Sequence, residues 1–263
     1  MTLQKRSSYK IVKAVLFALI LREMRGRFGA RRFGVFWVFF EPAFQLALLM
    51  LMFSFRNITA RSGIDFPLFL ISGMIPFFVM RNIVFQSMGA VDANRALFAY
   101  KQIKPLDTLF ARAIIETAIY AVVYALFMFI LGFFFGYEIT LVDPIRWLGI
   151  LFIGLLFSFS LGLLFCMIVD VLPEAKSVIR ISFFPVYLLS GVLYPIWVMP
   201  PEAMEWLLWN PYLHIIDELR LATFPYYPDH HGVNLFYPFK VALVLTFISL
   251  GLYRIRRLKL VAI

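Results

Sequence analysis

Cysteine is all but missing from this chain. Cys166 is the single one among 263 residues, which excludes an internal disulfide framework and most thiolate metal centres. Set inside an apolar run, it reads as a small buried residue. Charge is scarce too: 15% of residues are Asp, Glu, Lys or Arg and 62% are hydrophobic, whereas globular chains carry roughly a quarter charged residues. A soluble fold cannot cover that much apolar surface. There is no Gly-Lys dipeptide, hence no phosphate-binding P-loop, and no GxGxxG signature. The three histidines, His214, His230 and His231, fall late in the chain. Asp229-His230-His231 has no HxxxH or cysteine partner with which to hold a metal. No Ser, His and Asp set or paired aspartates lie within the apolar runs, which argues against an intramembrane hydrolase.

What the chain has instead is long apolar segments. A bilayer core about 30 Å thick requires roughly 20 mostly apolar residues per helix. Six stretches qualify: residues 36–55, 66–91, 108–135, 147–169, 178–199 and 236–253. An earlier run, residues 11–21, is interrupted by Lys13 and flanked by Lys10 and Arg22. It is too short to span and predicts an amphipathic interfacial helix. No small-residue cleavage site follows it, so it does not read as a signal peptide. Without linkers, repeats or low-complexity segments, the expected fold is one all-α membrane domain, residues 1–263. Within it, residues 1–35 form a cytoplasmic and interfacial segment, 36–199 spans one to five, 200–235 an outer segment, and 236–263 the sixth span with a basic tail.

Basic residues set the orientation. They crowd the N-terminal segment, the connection holding Arg95, Lys101 and Lys104, the one holding Lys176 and Arg180, and the tail from Arg254 to Lys259. Acids dominate two of the opposite loops, while Arg56 and Arg61 outnumber Asp65 in the remaining one. Both termini are therefore expected in the cytoplasm, and the net charge of +10 reflects sidedness and attraction to anionic lipid rather than to nucleic acid. Trp37 at the inner boundary and Trp147, Trp197, Trp206 and Trp209 at the outer one suit aromatic belts.

A lone charge in hydrocarbon costs several kcal/mol unless paired or hydrated. Glu41, Arg81, Arg112 and Glu116 are such charges. Their depths along the helices predict an Arg81–Glu116 contact and a second pair of Glu41 with Arg112, either as static ion pairs or as the wall of a hydrated pathway. In the outer segment, residues 202–209 and 212–222 read as short helices opened by prolines. They are either candidate gate elements or an ordinary extracytoplasmic cap.

Several motifs occur in an order that resembles a family. Arg27-Phe28-Gly29, Phe33-Gly34, Trp37 and Glu41-Pro42 resemble the opening of permease subunits of ABC polysaccharide exporters. Residues 67–76 (PLFLISGMIP), Lys104-Pro105-Leu106-Asp107, Ala111-Arg112 with Glu116, residues 190–195 (SGVLYP) and Asn210-Pro211 with Arg220 resemble its capsule-export, KpsM-like branch of the ABC type-2 permeases.

The resemblance implies a six-span homodimer with no catalytic residue of its own, with two cytoplasmic KpsT-like ATPase subunits binding ATP and Mg. A periplasmic adaptor and an outer-membrane polysaccharide channel would act beyond it, at the bacterial inner membrane. It implies that residues 92–104 couple to the ATPase, with Asp92, Arg95, Phe98, Tyr100 and Lys101 as contacts, and that Trp206, Trp209 and Tyr212 stand near the exit. Arg25, Arg27, Arg31 and Arg32 then sit where an acidic, lipid-linked polymer enters, or where anionic headgroups bind. O-antigen, teichoic acid or a small-molecule cargo on the same architecture is the alternative.

Overall fold

The computed structural model describes residues 7–28, 34–54, 64–100 and 102–261, and within them the chain is helical, without a strand. The helices are α1 (Ser8–Phe28), α2 (Gly34–Ser54), α3 (Phe66–Met88), α4 (Ala90–Asn94), α5 (Pro105–Phe135), α6 (Pro144–Val171), α7 (Ala175–Leu188), α8 (Pro201–Leu207), α9 (Pro211–Thr223) and α10 (Phe236–Val261). Short 3-10 turns occupy Arg95–Ala99 and Ile196–Val198. Arg31, Arg32, Arg56, Arg61 and Lys101 lie outside the described residues.

Prolines stand in the first turn of α3, α5, α6, α8 and α9, where a missing N–H costs nothing. Asp143 Oδ1 accepts from the Arg146 amide at 2.9 Å and Asn210 Oδ1 from the Tyr212 amide at 3.0 Å, each capping a helix start. Four helices are long and apolar enough to cross a bilayer: Phe66–Met88, Pro105–Phe135, Pro144–Val171 and Phe236–Leu260. They match the second, third, fourth and sixth expected spans. α2 overlies the first, its described apolar part being Phe39–Met52.

The centre belongs to α3, buried without interruption from residue 67 to 80, as befits a helix apolar on every side. α5, α6 and α9 pack around it together with α2 and α7, and α10 packs on α6. A Cβ at Gly162 of α6 would lie 2.8 Å from that of Ser87, so the two helices approach at van der Waals range only because that position is glycine.

Two expectations are corrected. The fifth span, residues 178–199, is not one helix: α7 has 14 residues and reaches about 21 Å, short of the ~30 Å core. It ends where Gly191 adopts a left-handed φ of 66° before Pro195. The N-terminal helix, in turn, is packed on the bundle beside α5. Its inner face carries Leu19, Glu23 and Arg27, while its outer face mixes Lys10, Lys13 and Arg25 with Phe17, Leu21 and Met24. It is therefore not divided into one apolar and one charged side.

Candidate functional site

The intramembrane charges pair differently from expectation. Arg81 Nη2 contacts Glu41 Oε1 at 2.8 Å, and its guanidinium lies 4.4 Å from the centre of the Phe78 ring. Glu116, 2% exposed, pairs with Arg27 of α1. Arg112 donates from Nε to Glu23 Oε1 at 3.0 Å and from Nη1 to the Gln86 carbonyl at 2.8 Å. The expected Arg81–Glu116 and Glu41–Arg112 pairs are thus replaced by Arg81–Glu41, Arg27–Glu116 and Arg112–Glu23. The reason is α1. Residues 23 and 27 meet 112 and 116 at one constant separation of 89, so α1 and α5 run side by side in the same direction and α1 supplies both counter-charges.

Glu23 also accepts from Asn94 Nδ2 at 3.0 Å. Burial opposes its ionisation, but Asn94 and the Arg112 guanidinium outweigh that and hold the carboxyl below its ordinary value. Arg25 is exposed and faces away from these pairs. Glu23 is the one acid in the first forty residues, four before Arg27. That isolation was the signal available in the sequence.

In the connection after α3, Asp92, Arg95 and Tyr100 are exposed. Phe98 is not. At 3% exposure it belongs to one buried apolar cluster with Val91, Leu109, Leu163 and Leu260, so it anchors the connection to its own bundle and is unavailable as a surface contact. Asn94 is buried and takes a bond from Arg22 at 3.1 Å. Arg95 lies 3.5 Å from Asp170, which pairs with Arg256 of α10 at 2.7 Å. The segment is tied to α1 on one side and to the C-terminal ends of α6 and α10 on the other. Arg256 belongs to α10, which runs on through the basic tail.

The outer segment is built on Arg220, fully buried on α9. Its Nη1 donates to the Gly191 carbonyl at 2.6 Å, and its Nη2 to those of Val192 and Phe69 at 2.7 and 3.2 Å. The Phe69 ring lies 3.6 Å below. Asn210 Nδ2 holds the Leu189 carbonyl, and the Tyr194 hydroxyl holds that of Leu188. At and just beyond the end of α7, the carbonyls of Leu188, Leu189, Gly191 and Val192 are thus met by side chains, while those of Pro185 and Tyr187 accept the Leu189 and Ser190 amides.

Beside Arg220, Asp217 accepts from the Tyr227 hydroxyl and contacts His230 Nδ1 at 3.1 Å. Trp197 stacks on that imidazole. His214 accepts the Asn234 amide at Nδ1, so its proton sits on Nε2 and is donated to the Leu208 carbonyl at 2.9 Å. Burial keeps this ring below its usual pKa. Trp206 and Trp209 are exposed, but Tyr212 is 3% exposed. It bonds Ser158 and packs on Phe77 and Phe157, so it is removed from the expected exit surface. Among the described residues no cluster of metal-binding side chains occurs.

The profile of one family, described as ABC-2 type transporter, matches residues 14–224. The chain belongs to the ABC-2 type transporter family. The match begins within α1 and ends after α9, so the three ion pairs and the Arg220 site of this ABC-2 chain all fall inside it.

Named relatives of the ABC-2 chain include the polysialic acid transport protein KpsM of Escherichia coli, 37% identical over 95% of this chain and 96% of that protein. The capsule polysaccharide export inner-membrane protein BexB of Haemophilus influenzae is 28% identical over 83% and 82% respectively. A third, the capsule polysaccharide export inner-membrane protein CtrC of Neisseria meningitidis serogroup A, is 27% identical over 82% of each.

Proposed function

We propose that this chain is the membrane-spanning subunit of an ATP-driven exporter that carries capsular polysaccharide from the cytoplasm across the inner membrane. The observation that carries this reading is likeness over nearly the whole length of both chains to a polysialic acid transport protein. In it the single domain of 263 residues crosses the bilayer six times with both termini in the cytoplasm. α2 forms the first crossing, and α7 with the turn after it forms the fifth. Two copies enclose the pathway. Two ABC ATPase subunits dock beneath α4 through Asp92, Arg95, Tyr100 and Lys101 and hydrolyse ATP with Mg. α8 and α9 gate the exit, with Trp206 and Trp209 at its rim, towards a periplasmic adaptor and an outer-membrane channel. The Arg81–Glu41 pair, whose carboxylate is 52% exposed, lines the pathway, and Arg25, Arg31 and Arg32 meet the acidic polymer at its entrance.

Deleting the gene in its encapsulated host, with re-expression as control, tests this reading. Polymer made in quantity but retained in the cytoplasm, seen by fractionation and anti-capsule microscopy, is the expected result. A normal surface capsule would transfer the assignment to another cargo such as O-antigen or teichoic acid.

A further inference from the structure

α5 and α6 both pack on α3 but scarcely on each other. Between them a groove runs along the outside of the bundle, in two confluent parts of about 330 Å³ and 530 Å³ that share Thr117, Ala121 and Leu155. Its floor is Pro76, Val79 and Ile83 of α3. One end is closed by the stacked rings of Phe110 and Phe159, 4.5 Å apart, and the other by Tyr124 and Trp147, 5.3 Å apart. Twelve to fourteen residues separate those ends along α6 and α5, or about 20 Å. The lining is otherwise almost wholly apolar.

The two ends differ in one respect. The Tyr124 hydroxyl and the Trp147 indole N–H are buried without a hydrogen-bond partner, and Trp147 is 9% exposed. Both are donors stranded in low dielectric, a costly state. Trp147 lies three residues after Pro144, which opens α6, so this end sits where hydrocarbon gives way to headgroups. A transmembrane helix laid in the groove keeps its own carbonyls occupied and could meet these donors only through a polar side chain placed at that depth. A glycerolipid carries ester carbonyls at this depth and an apolar chain below them.

We propose that the α5/α6 groove is a binding site for one acyl chain of a bilayer glycerophospholipid, whose ester carbonyl accepts from Tyr124 and Trp147. The site is independent of the exported cargo.

The test is native mass spectrometry of the full chain extracted from membranes of a host that makes no polymer, with retained phospholipid counted after mild delipidation. Wild type retains one phospholipid per chain. Tyr124→Phe, which deletes one donor and keeps the ring, lowers retention roughly fivefold. Ala121→Trp, which fills the groove from an exposed position, abolishes it. A diether phospholipid, which lacks the carbonyls, competes at least as poorly with the bound diester as Tyr124→Phe retains it; that comparison uses the wild-type protein and stands even if a variant misfolds. Equal binding of diether and diester, no retention by wild type, or lipid bound only in polymer-producing cells would overturn the proposal. So would oxidative cross-linking of Ala118→Cys to a second polypeptide in a Cys166→Ser background, since a protein would then cover the groove.

Discussion

A buried guanidinium that makes no direct ion pair must find its acceptors in the backbone, and Arg220 does so in the turn just after α7. Arg220→Lys keeps the charge but not the fork, forfeiting one or two bonds worth about 1.5–3 kcal/mol each. Gly73→Ala would press a methyl to within 2.5 Å of Arg220 Nη2, an overpacking cost of about 1–3 kcal/mol. Thermal unfolding of the purified protein should register both losses. The double variant should lose less than their sum, because the slimmer ammonium vacates the space the new methyl needs. The ion pairs yield a sharper prediction. Exchanging the charges of Arg81 and Glu41 should restore part of the export lost in either single reversal, whereas exchanging those of Arg81 and Glu116 should not, as read by surface polymer at normal protein level. Hydropathy was enough to single out these charged residues, but their partners were not legible. Glu23 and Arg27 reach Arg112 and Glu116 only because α1 stands beside α5, and nothing in an eleven-residue apolar run specifies on which side it packs.

Among the elements, the short outer helices were the easier to read, because α8 and α9 each open on a proline after a polar or proline cap. α7 was harder. Average hydropathy carries straight through residues 178–199, while the features that end the helix are local: the left-handed Gly191 and the side chains that replace its lost bonds. Tyr194 apart, those side chains come from α9 and its cap Asn210, 21 or more residues downstream. His214 fixes the turn between α8 and α9 in one tautomer, and both its nitrogens are satisfied only when neutral. Its folded pKa is depressed, so the unfolded segment binds the proton more readily and stability is lost as pH falls below the ordinary value near 6.5. Hydrogen exchange across residues 208–234, corrected for intrinsic rate, should therefore accelerate between pH 7 and 5. His214→Gln can donate to Leu208 and accept from Asn234, and should flatten that dependence.

At the scale of the whole molecule, Asn94 and Asp170 bind the connection after α3 to α1, α6 and α10, so a push on that connection is felt by three helices together. Asn94→Leu preserves bulk and removes the link to α1. In the assembled exporter it should leave ATP hydrolysis within about twofold while lowering export about tenfold, the signature of lost coupling energy near 1.4 kcal/mol. Equal loss of both activities would instead mean that the assembly itself is damaged. The apolar runs announced a bundle, yet this bracing was hidden, since Asp170 and Arg256 stand 86 residues apart and meet only because α6 and α10 pack together. The broken end of α7 matters for the membrane as a battery. An outlet wide enough for a polymer would short-circuit the proton gradient if it drifted open between cargoes. In the proposed exporter, straightening α7 would strip Arg220 of its Gly191 and Val192 acceptors together, at roughly 1.5–3 kcal/mol apiece, which would leave fewer than about one molecule in a hundred open at rest. In that reading a single arginine acts as insulation.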